Sequence, residues 1–288
     1  MKKCGKKIFS LIICIMMIIA TVTVANAESY LVIDGFSFLS SANGGITIYG
    51  YNKSNTNVVI PEKIAGLTVE QIADYAFLNS TDMPSISFEK ATGLKKIGYA
   101  AFSGCSGINK LVINDFIEEI SSVCFQGCTS LKSLTIGSSL KEIPSYAFYN
   151  CSSLSYVYIP QNIEKIGYNA FGGCSSLKTV TIPKTVTSID ADAFKDCTDL
   201  LINGESGSVA ETFAKENGYA FAEGKVFELG DVNCDRVINI KDATEIQKYL
   251  AQLVEFDEEK LALADYYTDG NINVLDVTKI QKFLAKLL

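Results

Sequence analysis

The 288-residue chain has no histidine. That excludes Ser-His-Asp and Cys-His nucleophile systems, in which an imidazole carries the proton. It also lacks any Cys-x-x-Cys pair, so the common thiolate and imidazole patterns for zinc are missing. Positive charge is scarce: 25 lysines and arginines stand against 32 acids. Four of those lysines, Lys2, Lys3, Lys6 and Lys7, precede everything else of note. Setting them aside moves the net charge from −7 to −11. Such a balance argues against nucleic acid and against an anionic lipid surface as partners. After the first 27 residues no apolar run is long enough for a transmembrane helix.

The four lysines lead into an apolar run over residues 8–20, and Ala25-Asn26-Ala27 supplies small residues in an A-x-A arrangement. This is the pattern of a secretory signal peptide, cut after Ala27. The apolar content of 48% and the length then leave room for two domains, 28–228 and 229–288.

The first of them is periodic. Residues 131–153 read LKSLTIGSSLKEIPSYAFYNCSS, and the next 23 read LSYVYIPQNIEKIGYNAFGGCSS. Leu131/Leu154/Leu177, Ile143/Ile166/Ile189, Phe148/Phe171/Phe194 and Cys151/Cys174/Cys197 fall at matching places. Earlier units carry Phe77, Phe102 and Phe125, with Cys105 and Cys128. A fixed period of this length marks units that stack, because one unit cannot bury its own apolar face. Segments such as Leu134-Thr135-Ile136 and Val157-Tyr158-Ile159 alternate and read as short strands. Residues 143–148 read as a turn or one helical turn that packs Phe148 inward. The irregular stretch 30–72, with a hairpin around Ile46-Thr47-Ile48-Tyr49, reads as a cap, and residues 209–217 read as a closing helix stopped by Gly218.

The repeats resemble the leucine-rich repeats of the BspA-like family, whose units carry an Ile-x-x-x-Ala-Phe-x-x-Cys core. Five cysteines share one place in the unit, so the repeat explains their spacing without bonds. A row of buried thiols is expected rather than a disulfide framework.

The second domain contains a duplication offset by 34 residues. One copy runs Asp231-Val232-Asn233-Cys234-Asp235-Arg236-Val237-Ile238-Asn239-Ile240-Lys241-Asp242. The other runs Asp265-Tyr266-Tyr267-Thr268-Asp269-Gly270-Asn271-Ile272-Asn273-Val274-Leu275-Asp276. Oxygen side chains at loop places 1, 3, 5, 9 and 12, with a backbone carbonyl at place 7, suit a hard cation. In this register the carbonyls belong to Val237 and Asn271. Each loop opens an amphipathic stretch. The segment resembles a type I dockerin, a small all-α module with two EF-hand-like calcium loops that docks onto the cohesins of a cellulosome scaffold.

That resemblance places Asp231, Asn233, Asp235, Asn239 and Asp242 on one Ca2+, and Asp265, Asp269, Asn273 and Asp276 on a second. It assigns cohesin contact to Ile240, Lys241, Gln247 and Lys248, or to Val274, Leu275, Gln281 and Lys282. The Ser/Thr pair usual at places 10 and 11 is not present here.

The fold class read from the sequence is therefore α+β and multidomain: a leucine-rich repeat solenoid of stacked short strands, then a dockerin. No catalytic pair stands out. Glu142, Glu164 and Asp192 are scattered, whereas a glycosidase sets two carboxylates across a cleft. The expected role is non-catalytic: a secreted protein on a cellulosome or cell surface, whose repeats bind a protein or glycan. Thr135, Tyr156, Tyr158 and Thr181, on the outward side of the strands, are the expected ligand face, since tyrosine stacks on sugars and fills protein interfaces. The alternative is a dockerin-bearing carbohydrate-active enzyme in polysaccharide breakdown.

Overall fold

The computed structural model describes residues 30–41, 44–53, 56–224, 230–233, 238–256, 258–266 and 271–286. The expected leader falls among residues 1–29, outside the described residues. Leu31–Leu288 form one compact unit.

Each repeat contributes a short strand whose alternate residues face inward. Lys110–Ile113 pairs in parallel with Ser133–Ile136, setting Leu134 opposite Leu111 and Ile136 opposite Ile113. Tyr156–Tyr158 pairs with Thr179–Ile182, which pairs with Leu201–Gly204. The register advances by one unit each time, so like residues stack on like. A second row of two-residue strands, among them Glu142–Ile143, Lys165–Ile166 and Ser188–Ile189, runs along another side of the stack.

The segment between the second strand and the cysteine is a turn, not a helix. Its backbone alternates in hand. Tyr75, Ala100, Val123, Tyr146 and Asn169 all have φ between 49° and 66°. A side chain in that region costs roughly 1–2 kcal/mol. The compensation is a ladder between units. Tyr75 and Tyr146 donate their N–H to the carbonyls of Tyr99 and Tyr168, both at 2.9 Å. Phe102, Phe125 and Phe148 donate to Cys124, Ala147 and Ala170 at 2.8–2.9 Å. A second left-handed place precedes the cysteine, and there the residue is Asn79, Gly104, Gly127, Asn150, Gly173 or Asp196. These are the residue types that reach this conformation at least cost.

The turns aim one phenylalanine per unit into the core. Phe77, Phe102, Phe125, Phe148, Phe171 and Phe194 are stacked, neighbouring ring centroids lying 4.8–5.7 Å apart. Beside them Cys105, Cys128, Cys151, Cys174 and Cys197 are buried and free, as is Cys124. Each of the five donates its S–H to the phenylalanine carbonyl of the preceding unit at 3.1–3.5 Å.

Both ends of the stack are closed. Leu31–Ile33, Phe36–Ser40 and Ile46–Tyr51 form an antiparallel meander whose last strand runs parallel to Leu67–Ile72. At the other end lies helix α1, Val209–Asn217. Ser208 caps it by accepting from the Glu211 N–H, and Gly218 ends it at φ 74°. Phe213 on its inner face meets Phe194 at 5.9 Å and finishes the aromatic row.

Three helices follow: α2, Ile240–Leu250; α3, Glu258–Ala264; and α4, Val274–Leu284. Val232, Ala243, Ile246, Ala264, Val277 and Ile280 make a small separate core. α2 packs on α4. Ala243/Val277 and Ile246/Ile280 carry the same 34-residue offset as the loops, so the duplication is also a pseudo-symmetry of the packing.

Candidate functional site

The two loop-to-helix junctions are built alike. Asn239 and Asn273 are the N-caps of α2 and α4, both with extended backbones, and each closes a capping box with an aspartate three residues on. Asp242 Oδ2 accepts from the Asn239 N–H at 2.8 Å, and Asp276 Oδ2 accepts from the Asn273 N–H at 2.8 Å. Asp242 Oδ1 also accepts from the Asn233 N–H at 3.0 Å, which draws loop place 3 against place 12. These contacts fix the helix end of both loops, and in the first they also tie its start to its end.

Asp231, Asp242, Asp265 and Asp276 are all at most 5% exposed. Four buried carboxylates in a module with so small an apolar core are costly without a cation. All are hard oxygen donors of the kind calcium takes. The donor set therefore fits that ion. Asn233, Asn239 and Asn273 stand half-buried beside the carboxylates, and Asn271 is exposed. Asp235, Val237 and Asp269 lie outside the described residues. Among the described residues no three acidic or thiol groups gather at one point.

The residues expected to meet a cohesin lie on the surface. Ile240 is 57% exposed and Val274 67% exposed, and Leu275 is exposed as well. Lys241, Gln247, Lys248, Gln281 and Lys282 are also exposed. The structure thus presents an apolar residue at the tip of α2 and its counterpart at the tip of α4.

The strand face differs from the open surface expected from the sequence. Tyr158 is 7% exposed and Thr181 fully buried. Tyr156 and Thr135 are half-buried. Two causes are visible. The Tyr156 hydroxyl lies 3.2 Å from the Thr181 hydroxyl. Helix α3 packs over the strand Tyr156–Tyr158. Further along, Thr135 Oγ1 donates to Asp265 Oδ2 at 3.4 Å, and Lys279 Nζ of α4 pairs with Asp115 Oδ2 at 2.9 Å. Lys279 also stands 5.3 Å from the centre of the Tyr266 ring. Burial pushes the Asp115 carboxyl up, but the Ser138 N–H and the Lys279 ammonium outweigh it and hold it below its ordinary value. Between repeats and helices remains a cavity of about 450 Å3, lined by Lys110, Thr135 and Tyr156 on one side and Tyr249, Leu261 and Ile272 on the other.

Sequence reasoning missed both α3 and this contact. α3 has only seven residues. Lys279 and Asp115 are 164 residues apart, so no local pattern joins them.

Residues 70–201 match the family described as BspA type Leucine rich repeat region, in six copies, and residues 229–285 match the Dockerin type I domain. The chain carries BspA-type leucine-rich repeats and a type I dockerin. Among solved structures, a leucine rich repeat protein of T. pallidum is 26% identical at a TM-score of 0.58, covering 67% of this chain and 98% of that one. Leucine-rich repeat proteins from Eubacterium ventriosum and Bacteroides ovatus are 25% and 24% identical, with TM-scores of 0.48 and 0.47. They cover 57% and 62% of this chain, and 44% and 56% of their own. No curated protein matches.

A type I dockerin implies a cohesin as partner, docking to a cellulosome, and calcium binding. Leucine-rich repeats imply binding. Among the described residues no helix is long and apolar enough to cross a membrane.

Proposed function

We propose that this is a secreted, non-catalytic binding protein, fixed to a cellulosome scaffold by its dockerin, with the repeats binding a protein or glycan partner. The proposed limits are a leader at 1–27, repeats with their caps at 28–228 and the dockerin at 229–288. The observation that carries the reading is the pair Ile240 and Val274. Each follows a capping asparagine, stands two residues before a buried aspartate, and leaves most of its apolar side chain in water. An apolar residue displayed twice in the same setting fits an interface better than a core.

In this reading Asp231, Asn233, Asp235, Asn239 and Asp242, with the Val237 carbonyl, hold one calcium ion. Asp265, Asp269, Asn273 and Asp276, with the Asn271 carbonyl, hold another. The ion would neutralise the buried carboxylates and fix the helix tips. Lys241, Gln247 and Lys248 on α2, or Leu275, Gln281 and Lys282 on α4, would surround the apolar contact.

The test is capture of the full chain on immobilised cohesins in calcium. The double substitution Ile240→Glu/Val274→Glu should abolish capture, since a carboxylate at the centre of an interface is strongly unfavourable. Capture that survives both changes would overturn the assignment.

A further inference from the structure

We propose that the dockerin is also a lid on the repeats: it occupies the strand face that an outside partner would use, so that partner binds only when the lid lifts. This rests on the reading of that face as a binding surface. Three observations support it.

First, the strand Tyr156–Tyr158 is solvent-poor where α3 lies over it. Tyr158 points away from the core residue Val157, yet is 7% exposed. Alternation along a strand would otherwise put it toward water.

Second, the contact is fastened by polar pairs beside an open cleft. The pairs Lys279–Asp115 and Thr135–Asp265 are polar and part-buried. The two surfaces flank a solvent-open cleft of about 450 Å3 rather than a continuous apolar seam. Polar fasteners beside such a cleft suit a contact that opens.

Third, the lid surface and the docking surface are separate. Lys279, Asp265 and Leu261 face the repeats, while Ile240, Lys241, Val274 and Leu275 stay exposed. A scaffold could hold the dockerin without lifting it.

The test uses the full chain in saturating calcium, with the variants Lys279→Glu, Asp115→Lys and the charge-swapped double. Small-angle scattering reads whether the helices lie on the repeats. Hydrogen exchange reads protection of the strands Ser133–Ile136 and Tyr156–Tyr158. Each single reversal sets like charges together, so it should lengthen the particle and speed exchange in those strands about tenfold. The swapped double should return both readouts to the wild-type values. A wild-type chain already as extended as the single variants would overturn the lid, and so would a double that fails to restore closure. Cohesin capture of Asp115→Lys is measured in parallel and should equal the wild type. If the wild type is not captured, the docking reading falls while the scattering and exchange results still decide the lid.

Discussion

At the scale of single residues, the thiol row gives the sharpest consequence. Burial pushes Cys105 and Cys197 up to about 12 from an ordinary 9.0, and drives Cys124, Cys128, Cys151 and Cys174 up too. A group raised on folding stabilises the fold fully below its unfolded value, and that stability is lost as pH climbs toward the folded one. Above about pH 9 the thiols should therefore remove stability as pH rises, Cys105 and Cys197 up to about pH 12. The urea midpoint of the repeats should fall steadily above pH 9, and Cys151→Ala with Cys174→Ala should make the fall shallower. A midpoint independent of pH up to 11 would contradict this. The row was legible in the sequence, because the period alone places five cysteines together. The left-handed Tyr75, Val123 and Tyr146 were not. Their residue types disfavour that backbone, and only bonds to the next unit hold it.

Among the elements, helices with explicit ends could be read and the short one could not. Ser208 and Gly218 bracket α1, and the asparagine-aspartate boxes open α2 and α4. α3 is too short, at seven residues, to show a full apolar period. The caps also separate two kinds of stability. Ser208→Ala removes a plain cap and should cost about 1 kcal/mol whether or not calcium is present. Asn273→Ala removes a cap and, on the proposed loop register, a calcium oxygen. The midpoint of a calcium titration of the helical signal should therefore move to higher calcium by more than a cap alone accounts for, about tenfold or more. A midpoint unchanged from the wild type would mean that Asn273 gives the ion no oxygen.

For the whole molecule, the two cores are very unequal. The repeats bury a continuous aromatic and aliphatic stack, while the described residues of the dockerin include seven buried apolar side chains and four buried carboxylates. A module of that size needs a staple. Chelation should melt the helices and leave the repeats folded, seen by circular dichroism as loss of helical signal with the thermal transition of the repeats retained. One shared transition would refute this. The order of the modules and the architecture of each were readable, because both rest on repetition within the sequence. How the modules meet was not, since Lys279, Asp115, Thr135 and Asp265 carry no pattern that pairs them.

The even spacing of the phenylalanine rings makes the repeat region a ruler. Each unit advances the stack by 5.3–5.7 Å through the middle of the row. A further unit inserted ahead of Phe102 would meet the same neighbours that every unit meets now. It would carry the meander that much farther from the helices, and it would leave Asp115, Thr135 and Tyr156 where they are. Reach can thus change in fixed steps at one end of the molecule while the attachment at the other stays constant.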